Sequence, residues 1–317
     1  MKDLTKGQES KLIFAFALPM LIGNIFQQLY NTVDSIIVGN TLGKAALAAV
    51  GASFPLIFLL VSLIIGLTMG STVLIAQFYG AGKLDQVKKT IDTTYIFLFF
   101  AAIVVTIIGL TSSGALLRLL KTPDEIFPLA LTYLRIIFTG IIVMFGFNTI
   151  SAILRGLGDS KTPLYFLIIS TLINIVLDLV FILAFGWGVA GAAWATVIAQ
   201  AVSFLLGQIY LYRSHELFRF NLKEMTFDRS LFRASIRIGL PTGIQQMLVA
   251  TGMMALSRIV NNFGTSAVAA FTAAGRIDSF ASMPAMNLST ALSSFVGQNL
   301  GAGKPERVKR GYLSALA

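Results

Sequence analysis

The sequence predicts an all-α, polytopic membrane protein of two six-helix lobes related by a parallel repeat, with eight helices present and the second lobe truncated. Three observations predict it. Over 317 residues, hydrophobic side chains make up 56% and charged ones only 12%, with a mean hydropathy of +0.82. A water-soluble domain of this size could not carry that balance on its surface. The last fifty residues also repeat a stretch near the start at an offset of 221. Gln77-Phe-Tyr-Gly-Ala-Gly-Lys83 returns as Gln298-Asn-Leu-Gly-Ala-Gly-Lys304, Gly43 falls on Gly264, Ala52 on Ala273 and Lys88 on Lys309. A period this long is a domain-sized duplication rather than a solenoid unit. The third observation is the sorting of loop charges, described below.

Apolar stretches long enough to cross about 30 Å of hydrocarbon run through residues 12–40, 46–78, 91–112, 126–154, 163–186, 189–212, 234–262 and 266–299. The polar residues 1–11 precede a run far longer than a signal-peptide core, so the first helix is expected to be retained. Arg155-Gly-Leu-Gly-Asp-Ser-Lys161 and Gly186-Trp-Gly-Val-Ala-Gly191 are turn chemistry between later helices. Helices one and seven are equivalent under the offset, so the repeat holds six helices and both copies run the same way through the membrane. The expected organisation is a lobe over 1–212, a cytoplasmic linker over 213–233 containing His215, and the first part of a second lobe over 234–317. The sequence stops at Ala317 just as a ninth helix begins.

With these spans, one side of the membrane collects eighteen basic loop residues, from Lys2, Lys6 and Lys11 through Lys83, Lys88, Arg155 and Arg213 to Lys304 and Arg310. The other side holds Lys44, Arg118 and Lys121. Lys and Arg accumulate in cytoplasmic loops, which puts the N-terminus inside, and one missed span would scramble the parity. The net charge of +10 is thereby assigned to loops facing a lipid bilayer, and no nucleic-acid partner is expected. The absence of cysteine and the single histidine exclude a disulfide framework, a thiolate metal site and a His cluster. No cofactor is expected.

An acid within a span costs on the order of 3 kcal/mol, which makes each one a functional candidate. Helix one carries Asn24, Gln27, Gln28, Asn31 and Asp34 as one stripe at helical spacing. Such a stripe faces a protein interior or a water-filled cavity. On helix five, Asn174 and Asp178 are four residues apart and share a face. Asp34, Asp178 and Thr196 each lie seven or eight residues, about 11 Å, from the outer ends of their helices. Two carboxyls, an amide and a hydroxyl at one depth can form a proton- or sodium-binding cluster, with Tyr30 one turn below Asp34. The competing reading makes Asp34 an interfacial cap and pairs Asp178 with a base such as Arg135. At the offset positions Asn24 becomes Gln245, Asn31 becomes Gly252 and Asp34 becomes Ala255, so the duplicate lacks the acid. Met247, Met253, Met254, Met283 and Met286 stand in helices seven and eight, suited to a cavity of adaptable apolar shape or to ordinary packing. The Gly-Ala-Gly-Lys loops are not phosphate sites, because no Ser or Thr follows Lys83 or Lys304. They are expected to make tight helix exits.

Leu18-Pro19, the run from Gln27 to Gly39, the twin loops, Leu154-Arg-Gly-Leu-Gly-Asp159 and Asn174-Ile-Val-Leu-Asp178 together resemble the multidrug and toxin extrusion (MATE) family of secondary transporters. The subgroup most similar is that of prokaryotic DNA-damage-inducible members, because helix seven has no acid. The resemblance implies a twelve-helix, monomeric antiporter of the inner (plasma) membrane that exports cationic or amphipathic compounds in exchange for H+ or Na+. It implies ion coupling at Asp34, Asn174, Asp178, Thr196 and Tyr30, with Na+ possible at the first four. A cavity lined by Asn24, Gln27, Gln28, Asn31, Gln245, Met247, Met254 and Met283 completes the expectation. The alternative within the superfamily is a flippase for lipid-linked oligosaccharide, which would need clustered bases in the cleft, where only Arg135, Arg258 and Arg276 are available. An intramembrane enzyme would need an HExxH, an Asp-rich motif or a catalytic dyad, and none is present.

Overall fold

The computed structural model describes residues 2–214, 224–261, 263 and 265–316, and among these all regular structure is helical. The elements are α1 (Glu9–Gly80), α2 (Leu84–Leu119), α3 (Phe127–Thr139), α4 (Ile141–Gly156), α5 (Lys161–Leu179), α6 (Val189–Ser214), α7 (Arg229–Asn261), α8 (Thr265–Gly301) and α9 (Pro305–Leu316), with a π-helical turn, Val180–Ala184, closing α5. At 72 residues α1 would be roughly 108 Å long if straight, far more than any bilayer needs. It is broken at Gly43, whose φ of 83° and ψ of −178° are not helical. Only glycine takes such a backbone without strain. The two arms are the expected first and second helices.

The expected span 126–154 differs from the structure in an informative way. It forms α3 and α4, bent by 52° about Gly140. A Cβ at Gly140 would lie 2.3 Å from Val197 Cγ2, so α6 presses against the bend at a distance that only glycine permits. Among the described residues, four helices are long and apolar enough to cross a membrane, or five counting the bent pair. α7 and α8, of 33 and 37 residues, stand where the seventh and eighth helices were expected.

Burial is inverted relative to a soluble protein. Phe14, Phe99, Phe100, Ile107, Leu172 and Leu183 are exposed, whereas Ser53, Ser71, Thr94, Asn174, Asp178, Ser203, Gln298 and Asn299 are buried. Lipid supplies no hydrogen bonds, so polar groups must satisfy one another. The Thr94 hydroxyl donates to Ser71 Oγ at 2.9 Å, and that of Ser203 to the Phe166 carbonyl at 3.0 Å.

The twin loops share one backbone. Gly82 and Gly303 both have φ of 69°. Lys83 N–H donates to the Phe78 carbonyl and Lys304 N–H to the Asn299 carbonyl, each at 2.9 Å. This is a glycine-terminated helix exit of the Schellman type, made twice. The copies also meet each other. A Cβ on Gly80 would lie 2.0 Å from the Gln298 carbonyl oxygen, and one on Gly301 would lie 1.9 Å from that of Gln77. Gly80 corresponds to Gly301 and Gln77 to Gln298 under the offset, so the contact is reciprocal, as a two-fold relation requires. Gly297 and Ala76, themselves equivalent, touch at the centre, where a Cβ on Gly297 would come within 2.8 Å of Ala76 Cβ. The local two-fold axis passes between them.

Candidate functional site

α5 and α6 run antiparallel, held in register by Ser203 on Phe166 and by the Tyr210 hydroxyl on Asp159 Oδ2 at 3.1 Å. That register sets Thr196 opposite Asn174. Spacing of four residues puts Asn174 and Asp178 on one face of α5, and directly after Asp178 the helix widens into the π turn. Phe181 in that turn stacks on Trp187 with centroids 4.7 Å apart, fixing the end of α5. Such turns recur at functional sites, and this one left no sign in the sequence pattern.

The first arm of α1 completes the cluster. Asp34, Asn174 and Asp178 are 9%, 1% and 0% exposed. The Tyr30 hydroxyl lies 3.1 Å from Thr196 Oγ1. With its amide oriented to suit its neighbours, Asn174 donates to Asp178 Oδ2 at 2.9 Å and accepts from the Thr196 N–H at 3.2 Å. The carboxyls of Asp34 and Asp178 lie within hydrogen-bonding reach of each other. Two such groups can sit together only with a shared proton or a cation between them. Asp34 Oδ1 and Asp178 Oδ1 have no hydrogen-bond partner among the described residues. A buried acceptor left open costs free energy.

The five residues expected to form an ion cluster are thus neighbours. The competing pairing of Asp178 with Arg135 is absent among the described residues. Asp34 lies well inside the arm, and Arg135 is exposed and joined to neither acid by an ion pair among the described residues. Two further residues went unrecognised. Tyr133 on α3, 7% exposed, lies within electrostatic range of both acids, and nothing in its local pattern distinguishes it. Gln200 has a buried, unpartnered Oε1 and follows Thr196 by one helical turn, a spacing that could have marked it.

The cavity candidates are more dispersed. Asn24 donates to Asn287 Oδ1 at 3.0 Å, joining the first arm of α1 to α8. Gln27, Met247 and Met283 are half-buried, while Gln28, Asn31 and Gln245 are exposed. The side chain of Met254 lies outside the described residues. Two open grooves, about 640 and 360 Å³, lie at the twin loops.

The MatE family model matches residues 19–180 and 241–317, taking in both arms of α1, all of α5 and the twin loops. A probable multidrug resistance protein of Bacillus subtilis, YpnP, is 38% identical over 307 residues, covering 96% of this chain and 68% of its own. A FAD transporter of Shewanella oneidensis is 27% identical, covering all of this chain and 71% of its own. The outward-facing structure of a multidrug resistance MATE family transporter of the MOP superfamily superposes with a TM-score of 0.92 at 30% identity, covering 99% of this chain and 70% of that one. The chain therefore spans about two thirds of the length of these relatives. With its acid pair, its repeated helix exits and its family match in agreement, the chain belongs to the MatE family of membrane transporters.

Proposed function

We propose that the full-length protein is a multi-pass exporter of the plasma membrane that moves cationic or amphipathic compounds outward in exchange for H+ or Na+. Asp34 and Asp178 are the coupling pair in this reading. The observation that carries it is the contact between two buried carboxyls, each with an unpartnered oxygen. Asn174, Thr196 and Tyr30 hold the pair in place, and a proton or sodium ion bound there neutralises it. Neutralisation changes the packing of the first lobe and so biases the membrane side to which the central cleft opens. Residues 1–212 act as one lobe and 234–317 as the beginning of the other, joined by 213–233 on the cytoplasmic side. The basic loops support that orientation.

The state represented is open outward and closed at the basic, cytoplasmic end. Its support is the reciprocal glycine contact at that end and the likeness to an outward-facing relative. The relatives' names, multidrug resistance protein and FAD transporter, favour an exported small molecule without fixing its chemistry.

The test is substrate-driven H+ or Na+ exchange by the full-length protein in vesicles. Asp34→Asn and Asp178→Asn each abolish exchange at normal expression. Full exchange by either variant defeats the proposal.

A further inference from the structure

Residues 2–8 precede α1 and Glu9 opens it, yet they lie on the other copy of the repeat. Leu4 is fully buried and packs with Ile13, Phe16, Ala291 and Phe295. Its N–H donates to Gln298 Oε1 at 2.9 Å, and its carbonyl accepts from Asn299 Nδ2 at 3.1 Å. The Thr5 carbonyl accepts from Lys304 Nζ at 3.0 Å and the Gly7 carbonyl from Arg307 at 2.9 Å. Glu9 closes the segment, with Oε1 3.1 Å from Arg307 and 3.2 Å from Arg310. Glu9 and Arg307 are only 16% and 15% exposed, so water screens this pair less than a surface one. Gln298 also reaches the other way, donating to the Gly156 carbonyl at 3.2 Å, while Lys2 N–H donates to the Gly158 carbonyl at 3.2 Å.

We propose that residues 2–9 are a latch that fastens the two halves of the molecule at the basic end, and that Lys304 of the second Gly-Ala-Gly-Lys loop and Arg307 of α9 are its seat. The latch bonds to the α4–α5 turn on one side and to the α8–α9 turn on the other. The basic end cannot part without breaking these bonds. The inference rests on the outward-open, two-lobe reading above and assigns part of the closing machinery to a segment before the first membrane helix.

The equivalent positions of the first loop supply an internal control. Asn299 corresponds to Phe78, Lys304 to Lys83 and Arg307 to Gln86. Phe78, Lys83 and Gln86 line the open 640 Å³ groove, and among the described residues none of their side chains bonds a segment in the way Asn299, Lys304 and Arg307 do.

The native chain has no cysteine over these residues, so Thr5→Cys, introduced at a buried position, reports latch release as maleimide reactivity. The measurement uses full-length protein in vesicles with any downstream cysteines replaced, and it needs neither substrate nor an ion gradient. Lys304→Met and Arg307→Gln each raise the labelling rate about tenfold or more, as expected for loss of a hydrogen bond to a charged group. The twin substitutions Lys83→Met and Gln86→Ala leave it unchanged. Ala192→Cys, fully buried far from the seat, stays unlabelled throughout and excludes unfolding. Equal labelling in all four variants, whether raised or not, overturns the latch. Because Asp34→Asn exchange is measured separately, failure of the latch and failure of the antiport reading are distinguishable.

Discussion

The two copies of the repeat have the same backbone where they exit the membrane and different chemistry everywhere that chemistry matters. Gly82 and Gly303 share a φ of 69° and the same hydrogen bonds. The seat beside Gly303 is filled by residues 2–9, whereas the seat beside Gly82 is an open groove. The difference follows from two side chains. Asn299 and Arg307 can read the carbonyls of an incoming segment, and Phe78 and Gln86 at the same places cannot do so in the same way. The contrast extends along the helices. The first arm of α1 buries Asp34 against Asp178, and α7 has Ala255 at the equivalent position. Duplication preserved the glycines that let backbones touch across the axis, because any side chain there would collide. Elsewhere each copy was free to take its own task.

The most severe way to break this comparison is to move the acid. Asp34→Asn combined with Ala255→Asp should remain without ion exchange, because position 255 is exposed rather than buried beside Asn174, Asp178 and Thr196. Recovery of exchange in vesicles would mean that the copies are interchangeable. The next effect concerns the axis. Gly80→Leu and Gly301→Leu each push a side chain into a backbone carbonyl, which should destabilise the closed basic end by about 1–3 kcal/mol. Thr5→Cys labelling and the thermal midpoint measure it, and strongly unequal effects would deny the two-fold relation.

A smaller effect sharpens the contrast between the seats. Arg307→Gln gives the second loop the residue of the first and removes a partly buried charged contact, which should cost about 1.5–3 kcal/mol of latch stability. Trypsin cleavage after Lys6 should then accelerate, while Gln86→Arg should leave it unchanged. The smallest expected effect is at Asn24→Ala. It removes one amide contact to Asn287, worth about 1 kcal/mol, and should shift the thermal midpoint while exchange persists.

Much of the molecule was legible in the sequence because its constraints are local. A hydrocarbon environment forces long apolar helices, and every expected span falls on helix, the one over 126–154 being divided between α3 and α4. The positive-φ glycines of the twin loops were readable as helix exits for the same reason. The bend at Gly140 was not, because glycine inside an apolar run has several uses and only the approach of Val197 selects this one. The acid cluster was legible through depth, since antiparallel helices of known direction convert residue numbers into heights. Tyr133 was invisible, as its place beside the acids depends on how α3 leans into the bend.

The sequence by itself determined the membrane helices, the duplication and the level at which Asp34, Asp178 and Thr196 lie, because hydropathy, periodicity and rise per residue are properties of the chain. Only the tertiary structure decided that the two carboxyls are neighbours, that the repeated loops meet across an axis and that residues 2–9 cross to the opposite copy. Those outcomes depend on which helix faces another, and that is set by packing between segments remote in the chain.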